Sequence, residues 1–501
     1  MAVSESPFKQ LLPYLLLSAA VLFSFGRSVQ APFHFDDHAL LADPNITSES
    51  GGLGVWRLAQ TRPLTYFTFW LNHRLGGADP SGYHAVNLGI HITSAFLVML
   101  CLRRLLPARA ALIAAFVFAV HPAQTEAVVY VFARSTLLSS CLTFAALLSW
   151  LKGRHWLAVV WFAAALLAKE EVAAFPVFLA LLHLTISRNR GEHGPIAAML
   201  GLALTAVTRV AVVAATTPGS GAGTQAGVSA FDYFLTQGYV ILRYLQLLVI
   251  PVGFTVDPEI EILRDWRGVL CWAAVLFLVW LSIRFTDRAR AGFWFLAALI
   301  LIAPTSSIFP AADLAADRRL YLPMMAFSAI AGILLERTTY PALLTAGGIV
   351  LSMLSLARGD VWMSEVRLWE DAMQWAPDKA RPRVQLARVS PPSQALNYLL
   401  EAKNLAPDDP LVASELGRVF LERRQPSEAL SEFGRAVALR PGDATALNNR
   451  GVALLMLGIK EHAVADFEQA LKIDPCLADA RRNLGIAGVP TVAPGGCRTG
   501  F

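Results

Sequence analysis

The sequence predicts an all-α protein: a polytopic bundle of about eleven membrane-spanning helices, followed by a short α-solenoid of stacked helix pairs. Three observations carry this. Of 501 residues, 55% are hydrophobic and only 16% charged, where a soluble domain carries about 25%; mean hydropathy is +0.50. Apolar runs of 17 residues or more recur from residue 11 to residue 357, near the length that crosses a bilayer. After Ala357 charges return, helices become amphipathic, and small and aromatic residues repeat every 34 positions.

The first helix is read as retained. A single Lys9 precedes the apolar run Leu11–Phe25, and no small-residue cleavage site follows it. The expected spans are then 11–29, 85–105, 110–127, 134–151, 155–168, 171–187, 195–215, 268–284, 291–309, 320–336 and 340–357. Arg103, Arg104 and Arg109 follow the second span, and Lys152 and Arg154 the fourth. Arg188 and Arg190 follow the sixth, Arg284, Arg288 and Arg290 the eighth, and Arg337 the tenth. All fall on one side if the N-terminus is cytoplasmic, since short cytoplasmic loops carry the Lys/Arg excess. The net charge of +5 is therefore an orientation signal. No basic patch with interleaved aromatics exists outside the membrane part, which excludes a nucleic-acid partner.

One helical stretch breaks the count. Residues 231–254 are apolar but carry Gln237, Arg243 and Gln246, so they read as an interfacial or re-entrant helix on the outer side. The Gly-rich stretch 217–229 lacks the Lys-Ser/Thr and the preceding strand of a phosphate loop, and reads as a flexible loop. Cys101, Cys141 and Cys271 lie in apolar helices as packing residues. Cys476 and Cys497 lie in the C-terminal part and can pair in an oxidising compartment.

The domain boundaries follow the composition: a membrane domain over 1–358 with an outer loop at 30–84, repeats over 359–487, and a disordered tail over 488–501. Gly417, Ala429, Phe433, Ala436 and Pro441 recur as Gly451, Ala463, Phe467, Ala470 and Pro475. This is the spacing of tetratricopeptide helix pairs, in which small residues let two helices cross closely and Pro ends the second. A degenerate earlier unit runs from Ala380 to Pro407, and Leu484-Gly485 begins a capping helix.

Four polar groups fall on the outer side. The first is the loop with His34, Asp36, Asp37 and His38; the second is His121 to Glu126, with Arg134. The third is Lys169-Glu170-Glu171; the fourth is Asp313, Asp317, Arg318 and Arg319, followed by Tyr321. Each alone reads equally as helix caps and interface anchors. Their common side points to a shared cleft. Adjacent carboxylates repel, so their proton affinities split, which suits acid/base work. A carboxylate there can take a proton from an acceptor hydroxyl or amide. An arginine fork suits a lipid phosphate, and apolar walls suit a polyprenyl tail. A divalent metal on Asp36, Asp37, His38 and His121 is the weaker alternative, because the spacing is not diagnostic; no cofactor is required.

At these positions the chain resembles the TMTC-type O-mannosyltransferases, multi-span GT-C glycosyltransferases with C-terminal tetratricopeptide repeats. The matching stretches are Phe35-Asp36-Asp37 with Asn45, Arg62-Pro63-Leu64-Thr65, Asn72 through Gly76-Gly77, and His84, Asn87 and His91. They continue with His121-Pro122, Thr125-Glu126-Ala127-Val128, Ala133-Arg134, Lys169-Glu170 and Ala316-Asp317-Arg318-Arg319-Leu320-Tyr321-Leu322-Pro323. Asp317 departs from the Glu common in relatives, and the repeat array is short.

The resemblance implies an inverting transfer of one sugar from a dolichyl- or polyprenyl-phosphate donor to a protein or glycan acceptor outside the cytoplasm. It implies Asp36 as the acceptor's base with Asp37 in support. Arg318, Arg134 and Arg319 would hold the donor phosphate. His34, His38, Arg62, His121, Glu126, Lys169, Glu170, Asp317 and Tyr321 would line the site. The repeats would engage the acceptor. The Ala/Leu/Arg-rich composition and compact loops suggest a bacterial inner membrane, hence an undecaprenyl carrier, with the repeats periplasmic; in a eukaryote the place would be the ER membrane and lumen. Two other readings remain open: an oligosaccharide ligase or oligosaccharyltransferase using a pyrophosphate-linked donor, and a non-catalytic membrane-tethered scaffold whose repeats recruit envelope proteins.

Overall fold

Apolar runs with short polar joints form helices because each helix satisfies its own backbone hydrogen bonds, the condition for crossing hydrocarbon. In the computed structural model, which describes residues 7–57, 61–187, 196–216, 228–289, 291–307, 310–311 and 313–490, the described residues are helices and connecting turns. The chain divides into two compact units, Met1–Ser364 and Glu365–Phe501.

The first unit opens with α1 (Pro7–Phe25) and a 3-10 turn. The outer loop carries α2 (Asp36–Ala42), α3 (Pro44–Thr47), α4 (Gly51–Gly54) and α5 (Pro63–Gly76). Then come α6 (Pro80–Leu105), α7 (Ala108–Val120), α8 (Thr125–Val129), α9 (Arg134–Leu151), α10 (His155–Ala168) and α11 (Phe175–Leu182). The unit closes with α12 (Ile196–Thr216), α13 (Ala230–Val249), α14 (Trp266–Ala289), α15 (Ala291–Ile302), α16 (Met324–Leu335) and α17 (Pro341–Val361).

Among the described residues, six helices are long and apolar enough to cross a membrane: 10–30, 80–105, 131–151, 196–213, 266–284 and 341–361. A seventh arises if α7 and the 122–129 segment, bent by 52° at His121-Pro122, count as one broken span. Three of the eleven expected spans, α10, α15 and α16, are apolar but of only 14, 12 and 12 residues. The expected span 171–187 is divided into a 3-10 turn, α11 and a π turn. Residues 217–227 of the Gly-rich loop and 491–501 of the expected tail lie outside the described residues.

Small residues let the bundle pack closely. A Cβ on Gly332 of α16 would lie 2.3 Å from the Ala110 carbonyl oxygen of α7, so only glycine fits that crossing. Two of the polar side chains of α13 turn into protein, while Gln246 is exposed: Gln237 donates to the Leu314 carbonyl at 3.0 Å, and Arg243 pairs with Asp317 at 3.2 Å.

The second unit begins with α18 (Glu365–Trp375). Three helix pairs follow: α19 (Ala380–Val389) with α20 (Pro392–Leu405), α21 (Pro410–Glu422) with α22 (Pro426–Leu439), and α23 (Ala444–Met456) with α24 (Lys460–Ile473). α25 (Ala478–Ile486) ends the stack. Phe433 and Phe467 occupy the space that Gly417 and Gly451 leave open. Leu386, Ala395 and Ala402 of the degenerate unit are buried as the repeat pattern requires.

Candidate active site

Neighbouring helix residues diverge by about 100°, and this separates the acidic pair. Phe35 takes an unusual left-handed conformation (φ 45°, ψ −113°), after which α2 starts with Asp36 and Asp37 in its first turn. Asp37 points inward and is fully buried. Its Oδ1 accepts from the Phe132 amide at 2.7 Å and its Oδ2 from the His34 amide at 3.0 Å, so it clamps the outer loop to the 130–133 turn. Burial raises the Asp37 carboxyl to about 7, against the pull of these amides. Asp36 is exposed and its Oδ2 accepts one bond, 3.0 Å, from the Tyr130 hydroxyl. Tyr130 stacks on Trp362 (centroids 5.8 Å, 28°). Its hydroxyl is pushed up by burial, then by Asp37 and Asp36, and stays protonated as a donor. His34 donates from Nε2 to the Trp362 carbonyl at 2.7 Å, and burial lowers it to about 4, so it is neutral. His38 is exposed.

Beside Tyr130 lies the second constellation. Glu126, 6% exposed, grips Arg318 twice: one oxygen accepts the Arg318 amide at 2.9 Å and the other pairs with its guanidinium. Asp313 pairs with the other arm at 3.2 Å. Burial opposes the charge on Arg318, but Glu126 and Asp313 outweigh it and hold the group firmly protonated. Asp317 is fixed by Arg243 and by the Thr255 amide, both at 3.2 Å. Glu126, Asp317, Arg358 and Trp362, with Pro122, Thr125, Phe254 and Thr255, line a small cavity of about 10 Å³.

The third constellation adds two further ion pairs. Lys169 pairs with Glu171 at 2.6 Å and donates to the Thr136 hydroxyl at 2.7 Å. Arg62 pairs with Glu170 at 3.1 Å. Burial pulls Lys169 down, while Glu170 is held below its ordinary range because Arg62 overcomes burial. Lys169 lies within electrostatic reach of both Arg62 and Arg318.

The structure places other expected residues away from this cleft. Arg134 is fully buried: Nε donates to Asn87 at 2.8 Å, the Nη atoms to the Tyr83 and Thr68 carbonyls at 2.8 and 3.3 Å, and the Phe69 ring lies 4.5 Å from its Cζ. Arg319 spends its donors on the Asp313, Thr305 and Leu314 carbonyls. Tyr321 is buried, its hydroxyl 2.8 Å from His91 Nδ1. His121 accepts the Ala123 amide at Nδ1 (3.1 Å) and donates from Nε2 to Leu248 (3.2 Å), a neutral ring that caps the bend. No three His, Cys, Asp or Glu side chains among the described residues gather as metal ligands. Sequence reasoning missed Tyr130, Trp362 and Arg243. Tyr130 sits only four residues before Arg134, Arg243 stood out only as a charge within an apolar stretch, and Trp362 gave no local signal, because its partners lie far along the chain.

Residues 414–476 match the tetratricopeptide repeat family model. The chain is similar to the protein O-mannosyl-transferase TMTC3 of Mus musculus, 28% identical over 480 residues, covering 81% of this chain and 52% of that protein. It is similar to the protein O-mannosyl-transferase Tmtc1 of Drosophila melanogaster, 36% identical over 30% of this chain and 20% of that one. The chain thus spans about half the length, or less, of these curated relatives. The crystal structure of ArnT from Cupriavidus metallidurans, bound to undecaprenyl phosphate, aligns over 97% of this chain and 90% of that one at 13% identity and a TM-score of 0.42.

Proposed function

We propose that this chain is a membrane glycosyltransferase that moves a mannose-like sugar from a polyprenyl-phosphate donor to a hydroxyl of a protein or glycan acceptor on the non-cytoplasmic face. The observation that carries it is the split acidic pair: Asp37 is consumed as a buried clamp, while Asp36 is exposed and aimed by the Tyr130 hydroxyl. The names of the similar proteins support the sugar and the reaction class.

Asp36 takes the acceptor's proton as the acceptor oxygen attacks the anomeric carbon. The bond from that carbon to the phosphate oxygen breaks, and the lipid phosphate leaves with its electrons; a single displacement inverts the centre. Negative charge grows on the phosphate, and Lys169, Arg62 and Arg318 would stabilise it. Arg134 is a buried post that positions the loop rather than a phosphate ligand. Cys476 is disulfide-bonded, a bond that persists in oxidising compartments, which supports an extracytoplasmic repeat unit. Those repeats then hold the acceptor.

The test is sugar release or transfer in proteoliposomes from radiolabelled polyprenyl-phosphate mannose or glucose. Asp36→Asn is expected to lower the rate by roughly 10²–10⁴-fold with an unchanged thermal midpoint. Undiminished transfer in that variant would refute the assignment. Activity only with a pyrophosphate-linked oligosaccharide donor would replace it with the ligase reading.

A further inference from the structure

One cation beside these ion pairs takes no part in any of them. Arg62 is matched by Glu170, Lys169 by Glu171, and Arg318 by Glu126 and Asp313. Arg209, near the end of α12, has no carboxylate within ion-pair distance among the described residues. Its Nε donates to the Leu166 carbonyl at 3.3 Å and its Nη2 to the Thr61 carbonyl. These are dipoles, not charges, and Nη1 makes no hydrogen bond among the described residues. α12 passes as a membrane span over 196–213, so this guanidinium lies within an apolar segment, where an unpaired charge is costly and marks function.

A second orphan faces the same place. Arg62 uses Nη2 on Glu170, but its Nε is buried with no partner. Arg209 lies within electrostatic reach of both Arg62 and Glu170. Thr65 of α5 donates to the Ala168 carbonyl at 2.9 Å, which seats the start of α5 over the end of α10 and closes this corner. Among the described residues the corner therefore holds three cations against two carboxylates, with unfilled guanidinium donors from two elements. Such donors match the oxygens of a phosphate.

We propose that Arg209 and Arg62, backed by Lys169, bind the phosphomonoester head of the isoprenoid donor, with Arg209 as the cation that makes no ion pair among the described residues. This rests on the glycosyltransferase reading and assigns the phosphate to α12 and α5 rather than to Arg134 or Arg319. The place is the end of a membrane span, so the anion comes from the bilayer.

The test uses the full-length chain in nanodiscs, with farnesyl phosphate as probe and inorganic phosphate and phosphatidylglycerol as competitors. Arg209→Gln is expected to weaken farnesyl phosphate binding by roughly tenfold or more, and Arg209→Lys to restore part of it. In the unaltered protein, farnesyl phosphate is expected to shield Arg209 from phenylglyoxal, read by mass spectrometry. That readout holds even if Arg209→Gln folds poorly. Full labelling of Arg209 at saturating probe overturns the proposal. So does equal competition by inorganic phosphate or by phosphatidylglycerol, which would make the corner a general anion site. If the protein binds farnesyl phosphate and transfers sugar, yet Arg209→Gln does both unchanged, only this inference falls. If no isoprenyl phosphate binds at all, the functional reading falls with it.

Discussion

Two adjacent aspartates show how one bond rotation divides labour. Asp37 is protonated more readily in the fold than in the unfolded chain, with its value raised to about 7 by burial. Its stabilising contribution is complete below about 4 and is lost as pH rises through about 7. His34 acts oppositely: burial lowers it to about 4, so its contribution is complete above about 6.5 and is lost as pH falls through about 4. Between those limits the two slopes oppose each other. Asp37→Asn removes one of them, so the variant's thermal midpoint in detergent is expected to drop on acidification from about pH 6.5 to about pH 4 more steeply than the wild type's. Parallel curves for both proteins would contradict this account. Arg134 makes the complementary case. Arg134→Met strands the Asn87 side-chain and Tyr83 main-chain acceptors and is expected to cost about 3 kcal/mol of stability, while sugar release per folded molecule stays unchanged. Lost catalysis at an unchanged midpoint would return Arg134 to the phosphate.

Among the elements, glycines and bends mark where helices meet. A Cβ at Gly451 would lie 2.5 Å from the Phe467 ring, closer than packing allows. Gly451→Ala is therefore expected to cost about 1–3 kcal/mol, seen as faster tryptic cleavage of the repeats in the intact chain. Gly434→Ala, with nothing within 4 Å, serves as control and is expected to be as resistant as the parent; equal sensitivity of the two variants would remove the packing argument. The 34-residue period was legible because this glycine–phenylalanine contact recurs in the two later units, Gly417 with Phe433 and Gly451 with Phe467. Helix lengths in the membrane unit were less legible. The 52° bend at His121-Pro122 and the division of residues 171–187 turn continuous apolar runs into short helices. A hydropathy pattern counts apolar residues and is blind to where a chain turns.

For the whole molecule, the two compact units correspond to two jobs in the proposed reaction: donor chemistry in residues 1–364 and acceptor choice in 365–501. A chain truncated after Ser364 is expected to retain sugar release to water from the lipid donor while losing transfer to protein in an added extract. Loss of both activities, with the truncated chain still inserted and folded, would show that the repeats are part of the catalytic unit.

The sequence by itself determined the helical membrane class, the repeat period and the outer-loop acidic pair. These are written in composition, spacing and local chemistry, each contained within a few dozen residues. Only the tertiary structure decided which aspartate is clamped inside and which is exposed, that Arg134 spends its donors on buried acceptors, and that Arg209 makes no ion pair among the described residues. Those outcomes depend on partners far apart in the chain, as with Tyr130 reaching Asp36 across 94 positions and Arg318 reaching Glu126 across 192. Burial and charge balance exist only once those partners are brought together.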